Sequence, residues 1–118
     1  MERPKEIVDQ YLDILQQHME ELRSGKAEST FEIQDIASMM HVHPTHLSNT
    51  IHEQLGKSPC DIYEEKLMDI AKEMILTTDL SIAAIAHHLT FDPSNFNKFF
   101  KHFEGVTPNR FRLARTKI

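Results

Sequence analysis

The stretch from Ser81 to Arg112, SIAAIAHHLTFDPSNFNKFFKHFEGVTPNRFR, decides how the whole chain is read. Ile82, Ile85 and Ala86 recur at helical spacing behind Ser81, a residue suited to an N-cap. Thr90-Phe91-Asp92 breaks that helix, and Pro93 can occupy the first position of the next, where its missing N–H costs nothing. Phe96 and Phe100 then mark one inward face. Gly105 is a C-cap residue, and Thr107-Pro108 opens another helix. A short helix, a three-residue turn and a second helix make a helix-turn-helix unit, with the apolar Phe91 of the turn tucked between the helices.

Displaced by 49 residues, the chain matches itself. Ile33 falls on Ile82, Ile36 on Ile85 and Ala37 on Ala86. Pro44 falls on Pro93, Leu47 on Phe96 and Ile51 on Phe100. Gly56, Ser58 and Pro59 fall on Gly105, Thr107 and Pro108. The matches are inward faces, helix starts and a cap, so the same scaffold occurs twice. Ala37 and Ala86 supply the small side chain that a close helix crossing needs. A lone helix-turn-helix pattern is a weak signal, because any helical hairpin resembles it. Two in register are stronger.

The rest of the sequence fits around these units. Ile7, Val8, Tyr11, Leu12, Ile14, Leu15, Met19 and Leu22 follow a helical period between Pro4 and Arg23. Ser24-Gly25 ends that helix. Helices are expected over Glu32–Met40 and Pro44–Leu55, then a long one from Pro59 to Thr77. Others follow from the Ser81 cap through Leu89, then over Pro93–Phe103 and Pro108–Arg115. No segment alternates with period two. The expected fold is all-α, with seven helices. Residues 1–57 hold the first helix and first unit, 58–77 a linker helix, and 78–118 the second unit and the C-terminal helix.

Charge is distributed unevenly. The chain has 118 residues and a net charge of −5. Residues 1–92 carry seven Lys/Arg against seventeen Asp/Glu, whereas Lys98, Lys101, Arg110, Arg112, Arg115 and Lys117 face only Glu104 in the remainder. A basic end on an acidic body is a possible footprint for phosphate, although a solvated basic tail has the same composition. No run approaches the roughly 20 apolar residues of a membrane span. The N-terminus lacks a secretory h-region, and the single Cys60 cannot form an internal disulfide, so a cytoplasmic setting is expected.

The residues resemble the DNA-binding region of the AraC/XylS family of bacterial regulators from about position 7 to 115. The diagnostic stretches are Thr78 to Ala86, then Phe91, Asn95 to Lys101, and Gly105 to Arg112. The first half matches through Ile33 to Ala37 and Pro44 to Ser48. The resemblance implies two recognition helices in successive major grooves, joined by a rigid linker helix. It departs at His41 and Thr90, where the family usually has glycine. Asn49 and His52 stand where the first recognition helix usually carries Arg and Lys.

On the second recognition helix, Ser94, Asn97 and Lys98 are expected at base edges, because Asn pairs bidentately with adenine and Lys donates to guanine. Lys101 and Arg112 are expected at phosphates, which fix register without reading sequence. Phe103 is expected in the core, with a surface hydrophobe cluster as the alternative. On the first recognition helix, Thr45, His46, Ser48 and Asn49 are the base-reading candidates and His52 a phosphate candidate. Histidine gains charge near neutral pH, so mild acidification is expected to strengthen DNA binding through His46 and His52.

No nucleophilic triad, phosphate-binding glycine loop or small-molecule pocket signature is visible, and a non-enzyme without cofactor is expected. His41, His43 and His46 are close together but lack zinc-site spacing. The expected partner is double-stranded DNA bound by a monomer, with RNA polymerase added if the protein is an activator. The resemblance allows either a stand-alone regulator or a piece joined to a sensing domain. A helical protein-interaction module with weak or lost DNA affinity is the alternative, motivated by the acidic body.

Overall fold

The computed structural model describes residues 3–115; Lys117 and the side chain of Arg115, both counted above in the basic end, lie outside that description. Seven helices follow in order: α1 Pro4–Ser24, α2 Ile33–Met40, α3 Pro44–Leu55, α4 Pro59–Thr77, α5 Ile82–His88, α6 Pro93–Glu104 and α7 Pro108–Arg115. There is no strand among the described residues. The expected all-α class and helix count hold, with α2 and α5 each one residue shorter at one end.

All five prolines open a helix. Local capping explains why the chain turns at these points. Ser58, Ser81 and Asp92 accept backbone N–H bonds from the first turns of α4, α5 and α6. His43 does the same for α3, with Nδ1 accepting from the Thr45 N–H at 3.1 Å. At α2 the Glu32 N–H donates to Asp35 Oδ2 at 2.8 Å.

The 49-residue repeat reappears atom for atom in the two turns. The Val42 N–H donates to the Ala37 carbonyl at 3.0 Å, and the Phe91 N–H to the Ala86 carbonyl at 2.8 Å. Leu47 and Ile51 of α3 are fully buried, as are their counterparts Phe96 and Phe100 of α6. Large side chains like these, removed wholly from water, each contribute about 1.5–3 kcal/mol. The second unit adds an aromatic ladder. Phe91 lies 5.1 Å from Phe99, Phe96 lies 6.0 Å from Phe100, and Phe100 meets Phe111 edge-on at 5.4 Å. Phe103 corrects the expectation of a core position, being 44% exposed. It lies in the last turn of α6 and packs on Phe99 at 4.9 Å.

Helix α1 packs on α2, α3 and α4, and reaches α5. Its Tyr11 hydroxyl donates to the Pro59 carbonyl at the start of α4, 3.2 Å away. Helix α7 packs on α4 and α6. The molecule is elongated, 53 × 27 × 22 Å.

Candidate nucleic-acid interface

Each candidate reading surface is the outer face of the second helix of a unit. In α6, Ser94, Asn97, Lys98 and Lys101 occupy i, i+3, i+4 and i+7 and therefore share one face. All four are exposed. The opposite face carries the buried Phe96 and Phe100, which fix the rotation of the helix. Asn95 is exposed as well. The Asp92 carboxylate binds the Ser94 and Asn95 N–H groups at 3.1 and 3.4 Å, fixing the first turn of that face.

In α3 the equivalent positions are Thr45, Ser48, Asn49 and His52, with His46 beside them. Thr45, His46, Asn49 and His52 are exposed. Ser48 is half-buried and lines a hollow of about 420 Å³ between α1, α2, α3 and α4, with Tyr11, Phe31, Ile33 and Tyr63 on its other walls. That hollow has no sequence signature because its lining residues come from four separate elements.

The two faces match in geometry and differ in charge. Asn49 corresponds to Lys98, and His52 to Lys101. The first face therefore keeps hydrogen-bonding groups but lacks two permanent cations. The nearest lysine downstream of α3, Lys57, is engaged with the Glu65 carboxylate, its Nζ 2.9 Å from both oxygens. Lys98 and Lys101, by contrast, have no ion pair among the described residues. Neither does Arg110, which is exposed at the start of α7. Its position was visible in the charge count, but its exposure depends on how α7 packs.

Arg112 has a different task from the phosphate contact expected of it. Its Nε donates to the Ile75 carbonyl at 3.0 Å, Nη1 to the Leu80 carbonyl at 2.6 Å, and Nη2 to the Thr78 carbonyl at 3.3 Å. These carbonyls belong to the last turn of α4 and the segment before α5. The guanidinium thus closes the C-terminal end of α4, where carbonyls otherwise lack partners. A cation suits that end of the helix dipole.

Behind the first unit, His18 is 2% exposed. Its Nε2 lies 2.9 Å from the Tyr63 hydroxyl, and its ring stacks on Phe31 at 3.9 Å. Burial lowers its affinity for a proton, while Glu21 acts in the opposite sense. Burial also pushes Tyr63 up to about 12. Both groups are therefore neutral at physiological pH, and the His18 ring holds Phe31, two residues before the start of α2.

A family model described as a helix-turn-helix domain matches residues 36–114. The arabinose operon regulatory protein of Escherichia coli (strain K12) is 32% identical over 89 residues, 75% of this chain and 30% of that protein. The C-terminal domain of AraT, a response regulator from Geobacillus stearothermophilus, is 29% identical, with a TM-score of 0.71 over 86% of this chain and 85% of that one. The DNA-binding domain of AdpA, a global transcriptional factor solved in complex with a target DNA, shares the fold at 17% identity, with a TM-score of 0.74 over 88% of this chain and 90% of that one. The chain spans about a third or less of the length of the curated relatives it matches.

Proposed function

The chain belongs to the AraC-type helix-turn-helix family, and from that premise we propose that it binds double-stranded DNA sequence-specifically to regulate transcription, with α3 and α6 entering successive major grooves. The observation that carries this reading is the repeated outer face. Two helices of equal length present polar side chains at equivalent positions, each backed by a buried apolar face. The major groove, about 12 Å wide, admits one such helix. Two readers in one chain let a monomer cover two half-sites that otherwise require a dimer. The 53 Å length of the molecule accommodates a separation of about one helical turn, roughly 34 Å.

The two units have unequal roles in this reading. Asn97 and Lys98 contact base edges, with Ser94 in support, and Lys101 grips phosphate beside Arg110. On α3, Thr45, His46 and Asn49 supply hydrogen bonds to bases, Ser48 acts from the flank, and His52 approaches the backbone. Few counterions are released by the first unit, so the salt dependence of binding comes mainly from the second.

The test is retention on duplex DNA at about 50 and 200 mM salt, a range over which several phosphate contacts weaken binding by orders of magnitude. Steep loss of retention is expected, together with its abolition in K98A/K101A while helicity stays unchanged. No retention of the wild type at either concentration would instead favour a protein-interaction module.

A further inference from the structure

The DNA-binding reading requires α3 and α6 to keep a fixed separation and angle. The linker α4 alone does not ensure this. Between its last residue, Thr77, and Ile82 at the start of α5 lie four residues outside both helices, of which only Thr78 donates a helical bond, its N–H to the Met74 carbonyl at 3.1 Å. Arg112 holds the Thr78 and Leu80 carbonyls of this segment from α7, and a pivot there would swing α6 relative to α3 unless a second tie reaches the first unit. The turn that carries α6 opens at Thr90, two residues after His88, the last residue of α5.

His88 is also where the second unit touches the first. Its Nδ1 lies 3.0 Å from the carbonyl oxygen of Arg23, at the end of α1. A carbonyl only accepts, so the imidazole holds its proton on Nδ1 and donates. The ring lies flat against Gly25. A Cβ at that residue would stand 3.1 Å from His88 Cε1 and 3.3 Å from Nδ1. Gly25 also has φ +79°, the left-handed conformation that ends α1 and that a side chain would strain. The Arg23 guanidinium pairs with Glu73 on α4. One residue of α1 therefore ties α4 through its side chain and α5 through its carbonyl.

We infer that His88, donating to the Arg23 carbonyl across Gly25, is a positioning residue that sets the geometry between the two recognition helices and thereby the half-site spacing the protein accepts. It acts without touching DNA. This rests on the DNA-binding reading for its consequence, but the geometry can be measured without DNA. Glu53 and His102 are exposed, occupy equivalent positions on α3 and α6, and accept spin labels in a C60S/E53C/H102C background.

The experiment compares the distance distribution between these labels in the wild-type background and with H88A, H88N and H87A added. The same set, without labels, is bound to duplexes in which one base pair is inserted between selected half-sites. Such an insertion turns one half-site by about 34° and shifts it by about 3.4 Å. The wild type is expected to give a narrow distribution and to lose roughly tenfold in affinity on insertion, comparable to a mismatched pair. H88A should broaden the distribution and reduce that loss to about threefold. H88N, whose amide can donate to the same carbonyl, should behave like the wild type, as should H87A at the exposed neighbour. An H88A distribution as narrow as that of the wild type, or a wild type already as broad as H88A, overturns the assignment. A wild type that ignores every duplex overturns the DNA reading separately, with the distances still deciding the role of His88.

Discussion

His41 and Thr90, 49 residues apart, adopt the same left-handed backbone, with φ of 58° and 64°. Each opens the turn of its unit. Left-handed backbone costs a side-chain-bearing residue about 1–2 kcal/mol, and a β-branched residue is the least suited to it. The cost is greater at Thr90, whose buried hydroxyl lacks a hydrogen-bond partner among the described residues. Thr90→Gly is expected to raise stability by about 1 kcal/mol after allowing for the freer unfolded chain. His41→Gly should gain less. Denaturant midpoints measured for both variants check the order and the sign.

Arg112 and Lys101 are both cations of the second unit, and their substitutions should separate cleanly. Arg112 supports three backbone carbonyls, so Arg112→Ala should cost about 1.5–3 kcal/mol of stability. Lys101 is exposed and unpaired among the described residues. Lys101→Ala should leave the melting transition in place and reduce the slope of log affinity against log salt by about 1. A stable Arg112→Ala variant with a reduced salt slope would return Arg112 to the phosphate role.

Restoring charge to the first reading face should strengthen binding without refolding anything. Asn49 and His52 are exposed and correspond to Lys98 and Lys101. The double variant N49K/H52K is expected to steepen the salt slope by up to about 1.8, if both lysines meet phosphates. Titration with salt on a fixed duplex reads this directly. An unchanged slope would mean that α3 stays away from the DNA backbone.

His18 makes stability depend on pH. Burial lowers its folded-state proton affinity from the ordinary value of 6.5, and Glu21 only partly opposes this. The unfolded chain therefore binds a proton at a higher pH than the folded chain does. The contribution is complete above 6.5 and declines as pH falls from there through the lowered folded value. His18→Gln, which can still hydrogen-bond to Tyr63, should flatten this part of the profile. Melting temperatures across that window supply the comparison.

The sequence made the scaffold legible and left the ties between its halves hidden. Proline and cap positions are local signals, and they located all seven helices to within a residue or so. The repeat revealed both candidate faces because Phe96 and Phe100 fix the rotation of α6 as Leu47 and Ile51 fix that of α3. Contacts between residues far apart left no such mark. His18 finds Tyr63 across 45 positions, Arg112 finds Ile75 across 37, and His88 finds Arg23 across 65. Each is a polar side chain that reads locally as a solvated surface group. Phe103 failed in the other direction, since its apolar character suggested burial while its place in the last turn of α6 leaves it uncovered.

Selection of bound sequences from a random duplex pool tests the central claim most directly. Enrichment of a bipartite site with half-site centres roughly 10–10.5 base pairs apart is expected. The half contacted by α6 should be the more sharply defined, and enrichment should disappear with K98A/K101A. Recovery of no common sequence by the wild type, at salt low enough for retention, would contradict it.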